Sequence, residues 1–232
     1  MKKQFIIYHG SQKIIKVPIW GEGNLRNDYG LGFYCTENLD IAKEWACTQE
    51  NNGYANKYNF DITGLTVLHL SSDKYNILNW LSILLENRIF KISNDIAIEG
   101  KKYLLEQFLP QYNDFDVIIG YRANDSYFSF ASAFLNNTIS LKQLEKAMYL
   151  GKLGEQIVLK SKKAFEQIKF SGAIIAKREF YYPMKMARDN TAREYYKKER
   201  TTQRASDAVY LIDILREEWK NNDPRLQRNI SK

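Results

Sequence analysis

Two cysteines and two histidines are all that this 232-residue chain offers of the side chains that most often form cross-links or bind soft metals. Cys35 and Cys47 are too few for a disulfide framework, and with no histidine near either they give no metal-ligand spacing. Both read as reduced, packed thiols, and no metal is expected. Long apolar runs are also missing. None approaches the length that crosses a bilayer, and "MKKQFIIYHG" has neither the apolar stretch nor the small-residue cleavage site of a secretory signal. A cytoplasmic protein without a membrane partner is the expectation.

What is present is the composition of a folded domain, 44% hydrophobic and 26% charged. A net charge of +7, much of it downstream of Lys160, favours acidic partners such as nucleic acid, a dinucleotide or an acidic protein.

The chain alternates short β-rich runs with helical stripes. "QFIIYHGS" reads as a buried strand entering a turn, and "KIIKVPIW" as a second short strand or an extended segment kept off a central position by Pro18. Residues Gly21 to Gly32 predict a loop, and "GFYCT" a brief strand. A helix follows with Thr36 as its cap and Leu39, Ala42, Lys43 and Ala46 on one stripe. "KYNFDI" and "LTVLHL" suggest a hairpin turning at Thr63 and Gly64, with His69 as a structural residue of its second strand. Helices are predicted for "YNILNWLSILLENRIF", "IAIEGKKYLLEQFLP", "SYFSFASAFLNN" and "SLKQLEKAMYLG", the last between Ser140 and Gly151. "FDVIIGYRA" and "EQIVLKS" read as buried strands, "KKAFEQI" as a short helix and "FSGAIIAKREFYY" as a closing strand. Past Pro183 come one or two charged helices, with Ala205, Ala208, Val209, Ile212 and Leu215 on a docking face. The division expected is an α+β domain over 1–182 and a charged helical extension over 183–232.

Taken singly, the polar landmarks are bland. His9 suits a strand end, and the glycines of "YGLGFY" suit a turn; they precede a strand and not a helix, which excludes a P-loop or Rossmann site. Arg122 and Asp125 follow a buried strand, where a polar residue either caps the next helix or faces a cleft.

In order, however, "YHGS", "YGLGFYCTENLDIAKEWA" and "GEQIVLKS" resemble the three-part pattern of the ADP-ribosyltransferase superfamily, in its diphtheria-toxin and poly(ADP-ribose) polymerase branch. The likeness is closest over residues 6–46 and 154–161. The layout, including "FDVIIGYRANDSYF" and "QIVLKSKKAFEQIKF", is also similar to a bacterial family of unknown function encoded beside small antitoxins.

The resemblance implies a split β-sheet core and a soluble enzyme that moves ADP-ribose from NAD, its co-substrate, to an intracellular protein or nucleic acid. It also implies a role as a toxin or phage-defence effector restrained by a small antitoxin. NAD glycohydrolysis, or binding of NAD or a partner without turnover, are the alternatives. It places His9 on a hydroxyl of the adenosine ribose and the Gly10 peptide on the nicotinamide carboxamide. Tyr34 stacks on the nicotinamide, with Trp45 completing a sandwich. Ala42 stands where polymerases carry a serine, which leaves Ser11 as a substitute donor. Arg26, in the loop with Asn27 and Asp28, is a cation for the pyrophosphate. The third-strand position is Glu155 on the polymerase pattern and Gln156 on the toxin pattern; strand alternation lets only one face the site. The bacterial family favours Gln156, which leaves Asp125 as a spare carboxylate.

Overall fold

The computed structural model describes residues 4–92, 94–123, 125–148, 154–201 and 208–226. Its elements run β1 (Gln4–Ser11), β2 (Phe33–Cys35), α1 (Leu39–Ala46), β3 (Gly53–Asp61), β4 (Val67–His69), α2 (Ile77–Asn87), α3 (Asp95–Phe108) and β5 (Val117–Gly120). They continue α4 (Asp125–Leu135), α5 (Leu141–Met148), β6 (Gln156–Leu159), α6 (Lys162–Glu166), β7 (Ile168–Ala176), α7 (Arg178–Thr201) and α8 (Leu211–Arg216). The fold is α+β.

The described strands form two sheets, ordered β1-β3-β7 and β2-β6-β5-β4. The first is antiparallel throughout, and in the second only the β4 and β5 pair is parallel. One isolated bridge joins them, in which Tyr8 and Thr36 exchange both backbone hydrogen bonds at 2.8 and 2.9 Å.

Burial on both faces explains why the second sheet reads as unbroken apolar runs. Ile118 and Val158 pack against the helices, centred on the fully buried Trp80, Leu81 and Leu84 of α2. Their neighbours Val117, Ile119, Ile157 and Leu159 meet Ile7, Tyr58 and Phe60 of the first sheet. Two separate apolar layers therefore clamp β5 and β6.

Several local expectations change. The hairpin does not form: β3 is already flanked by β1 and β7, so the chain crosses at residues 62–66 and β4 pairs with β5 instead. "KIIKVPIW" takes the extended alternative, its Ile15 amide donating to Asn56 Oδ1 at 2.9 Å. Thr36 is spent on the bridge, and Asn38 caps α1 through Oδ1 to the amides of Asp40 and Ile41. Ser140 and Gln143 cap α5 reciprocally, while Gly151 lies outside the described residues. Both cysteines are free and buried.

The closing strand stops at Ala176, and α7 runs through Pro183, so the boundary drawn at 182/183 falls inside a helix. Pro183 lies past the first turn of this helix, so its missing N–H removes one intrahelical hydrogen bond. This helix docks along its length: Arg188 meets Glu44 of α1, Tyr195 and Tyr196 meet Phe130 of α4, and Gln143 of α5 donates to the Glu199 carbonyl. In α8, Leu211 and Ile214 are the buried residues; Val209, Ile212 and Leu215 are half-buried, and Ala205 lies outside the described residues.

Gly10 shows how tightly α1 sits on β1. A Cβ at this position would lie 2.0 Å from the Ala42 carbonyl oxygen and 2.8 Å from the Trp45 Cβ. Helix backbone already explains the glycine, before any ligand is invoked. Gly10→Ala should displace α1 and lower unfolding stability by about 3 kcal/mol, read from urea melts; an unchanged midpoint would contradict the packing.

Candidate functional site

The two sheets part immediately after their bridge, and His9 is the wedge. The register set by Tyr8 and Thr36 would next pair Gly10 with Tyr34. Instead His9 Nδ1 donates to the Tyr34 carbonyl at 2.7 Å, and the imidazole stacks on Phe33 with ring centres 4.3 Å apart. Because a carbonyl only accepts, Nδ1 carries the proton, and neutral His9 keeps Nε2 as an acceptor. Burial lowers the His9 pKa below 6.5, partly opposed by the Tyr34 bond. Peptide groups two residues apart in a strand face the same way. The Gly10 amide and carbonyl therefore face the side on which Tyr8 meets Thr36, into the opening.

A cleft of about 960 Å³ fills that opening, large even for a small-molecule site. Tyr34 contributes a ring and not a free hydroxyl. Its phenol donates to the Gly30 carbonyl at 2.6 Å and accepts from the Tyr29 amide at 3.1 Å, and burial holds its pKa well above the usual phenol value. Gly30 makes that turn with φ +70°, in the left-handed region that favours glycine. Ser11 lines the cleft, with its hydroxyl bound to the Lys13 carbonyl.

Strand alternation decides between the third-strand candidates. Gln156 shares a face with Val158 and lines the cleft, 4% exposed, with Nε2 donating to Asp28 Oδ2 at 3.0 Å. Glu155 shares the opposite face with Ile157, borders a separate pocket of about 290 Å³, and meets His69 Nε2 at 3.2 Å and the Ser71 hydroxyl. His69 is thus a partner of Glu155, away from the cleft.

Charge is concentrated around this floor. Asp28 pairs with Arg88 at 2.9 Å; burial raises its carboxyl pKa above the usual value, an effect that the Ala123 amide, Arg88, Gln156 and Arg122 only partly oppose. Among the described residues, three donors and no acceptor meet its two oxygens, the pattern of an ionised carboxylate. The Arg122 guanidinium lies 4.1 Å from the Trp45 ring centre, so one face of that ring is occupied, while the buried Trp45 Nε1 meets no acceptor among the described residues. From α7, Lys185, Arg188 and Asp189 complete the wall, and Arg188 grips the 2%-exposed Glu44 through Nε at 3.1 Å and Nη2 at 2.8 Å.

His9, Gly10, Ser11, Tyr34, Trp45 and Gln156 therefore line one cleft, as the sequence pattern requires. Arg26 does not. It is exposed on a turn closed by Asn24, while Asp28, two residues later, is carried inside. Arg88, Arg122 and the α7 cations Lys185 and Arg188 line the cleft instead. Asp125 begins α4, and its side chain lies outside the described part. Asp28, Arg88, Glu44 and Lys185 were not legible as site residues; Glu44 shares the buried side of α1 with Ile41, Ala42 and Ala46. No group of three or more metal-ligating side chains occurs among the described residues.

The stacked, half-buried His9 should stay neutral near pH 7, with an NMR titration midpoint below 6.5. Because the folded value is depressed, protonation favours the unfolded chain, and stability should fall as the pH drops below that of a free histidine. A midpoint above 6.5 would contradict the assigned tautomer and its environment.

No helix among the described residues is long and apolar enough to cross a membrane. No curated protein and no solved structure matches the chain. The model of a family described as protein of unknown function, DUF3990, matches residues 5–170, from β1 into β7, well over half of the chain and ending before α7. The chain, with its parted sheets and the cleft between them, belongs to the DUF3990 family.

Proposed function

We propose that this protein is an NAD-dependent ADP-ribosyltransferase that transfers ADP-ribose to a macromolecule and releases nicotinamide. One observation carries the reading: His9, Tyr34 and Gln156, from three different strands, line a single cleft. In the transfer, an acceptor nucleophile bonds to the ribose carbon, the bond to nicotinamide breaks, and nicotinamide leaves with the bonding pair. The acceptor gives up its proton to solvent. Positive charge develops on the ribose, so the site needs acceptors and dipoles aimed at the sugar more than it needs a metal.

Each side chain has a matching part. His9 Nε2 accepts from a hydroxyl of the adenosine ribose, and the open peptide edge of Gly10 meets the carboxamide. The Tyr34 ring bounds the nicotinamide. Trp45 supplies a second aromatic once Arg122 moves to the pyrophosphate, and its indole N–H gains an acceptor; leaving such a donor buried alone costs about 1–3 kcal/mol. Lys185, for which no carboxylate partner is found within the described residues, adds to the positive lining expected of a site for two phosphates. Gln156 Oε1 accepts from a hydroxyl of the reacting ribose.

A second reading, NAD binding without turnover, is favoured by one observation: Glu155 faces away from the cleft and an amide stands in its place. Incubation with NAD labelled in the adenylate phosphate, together with cell extract, separates the readings. Label in a protease- or nuclease-sensitive pool is expected, with His9→Ala and Gln156→Ala each lowering incorporation by about 100-fold or more. Nicotinamide release without incorporation indicates hydrolysis. Retained NAD with neither indicates binding alone, and full labelling by both variants would contradict the site.

A further inference from the structure

Asp28 is a carboxylate only 6% exposed, in the cleft lining beside Gln156, the residue assigned to the reacting ribose. Its Oδ1 accepts from Arg88 Nη1 at 2.9 Å, and its Oδ2 accepts from the Ala123 amide at 2.8 Å and from Gln156 Nε2 at 3.0 Å. Gln156 Nε2 also donates to the Tyr121 carbonyl, at 3.4 Å. Both hydrogens of this amide are therefore spent on protein acceptors. Turning the amide over would set Oε1 against a carboxylate and a carbonyl, acceptor facing acceptor at every contact. The orientation is fixed by those neighbours, and Oε1 is the atom left without a partner among the described residues, on a side chain that lines the cleft.

We propose that Asp28 is a positioning residue: through Gln156 Nε2 it holds the side-chain amide so that Oε1 alone is presented to the ligand, which must answer with a hydrogen-bond donor such as a sugar hydroxyl. Donation to a carboxylate draws electron density onto Oε1 and strengthens it as an acceptor. The arrangement keeps a buried negative charge in the cleft lining, where it favours positive charge developing on a ribose, while Arg88 stops it from becoming an uncompensated buried ion. Ala123 matters as well. Its amide fixes the carboxylate plane, tying the loop before β2 to the segment after β5 so that the Gln156 partner cannot swing away. The naming of the donor as a ribose hydroxyl rests on the NAD reading; the hold of Asp28 on Gln156 does not.

Two measurements test the proposal separately. In the wild-type protein with no nucleotide added, the Gln156 side-chain amide should show one downfield, slowly exchanging proton with a nuclear Overhauser contact to the Ala123 amide proton, since both donate to the same oxygen. In Asp28→Asn that contact and the protection should be lost. Absence of the contact in the wild type overturns the proposal whether or not Asp28→Asn folds, and whatever the protein does with NAD. In steady-state nicotinamide release, Asp28→Asn should lower kcat by about 30- to 100-fold, with KM for NAD held within about threefold, because both Asp28 oxygens are spent on Arg88, Ala123 and Gln156 and its effect on the ligand runs through Gln156. A folded variant with wild-type kcat overturns the role in turnover. A wild-type protein that shows the Overhauser contact but neither binds nor cleaves NAD overturns the NAD reading and leaves Asp28 holding Gln156 for a different donor.

Discussion

The two hydrogen bonds between Tyr8 and Thr36 decide the rest of the molecule. They are the join between two sheets that would otherwise stack as separate layers, and the ladder they begin is stopped one step later by the His9 imidazole. Inserting a side chain where a backbone pair belongs forces the strands apart while leaving the Tyr34 carbonyl satisfied, so the opening costs no orphaned group on that strand. From this single substitution of partner follow the Nδ1–H tautomer, the outward Nε2, the open peptide edge of Gly10 and the placement of the Tyr34 ring. The apolar layers on both sides of β5 and β6 hold that geometry, since neither sheet can shift without exposing Ile118 and Val158 or Ile119 and Ile157.

Two buried ion pairs, Asp28 with Arg88 and Glu44 with Arg188, border the cleft. Buried pairs are poor contributors to net stability, because desolvation consumes most of the attraction. Their placement is better explained by what they hold: the first fixes Gln156, and the second fixes α7 against α1. The cleft wall completed by Lys185 and Arg188 lies beyond the region that the DUF3990 family model matches. The helical extension is thus a structural part of this chain's cleft.

Much of the site was legible because it rests on local patterns: a histidine and glycine ending one strand, the aromatic before a helix, and a polar pair entering a buried strand. What could not be read was phase and partner. A four-residue strand buried on both faces has no amphipathic alternation to show which of Glu155 and Gln156 turns inward; that came from the pairing of Gln156 with Gly120. The run "LTVLHL" is a strand, but its neighbour depends on which sheet edge is vacant, a property of the whole topology. Arg26 and Asp28 are two residues apart in one polar loop, and only the turn closed by Asn24 and Gly30 sends one to solvent and the other inside. The α7 cations looked like a solvated face because the partner of Arg188, Glu44, lies 144 residues earlier in the chain.

The central claim is that one nicotinamide-ribose unit is held jointly by His9, Tyr34 and Gln156. A crystal structure with an NAD analogue whose glycosidic bond resists cleavage tests it most directly. Density between the parted sheets, with the nicotinamide ring against Tyr34 and a ribose hydroxyl within hydrogen-bond distance of Gln156 Oε1, is the predicted result. The analogue bound in the pocket beside Glu155 and His69, or an empty cleft at saturating concentration, would contradict the account.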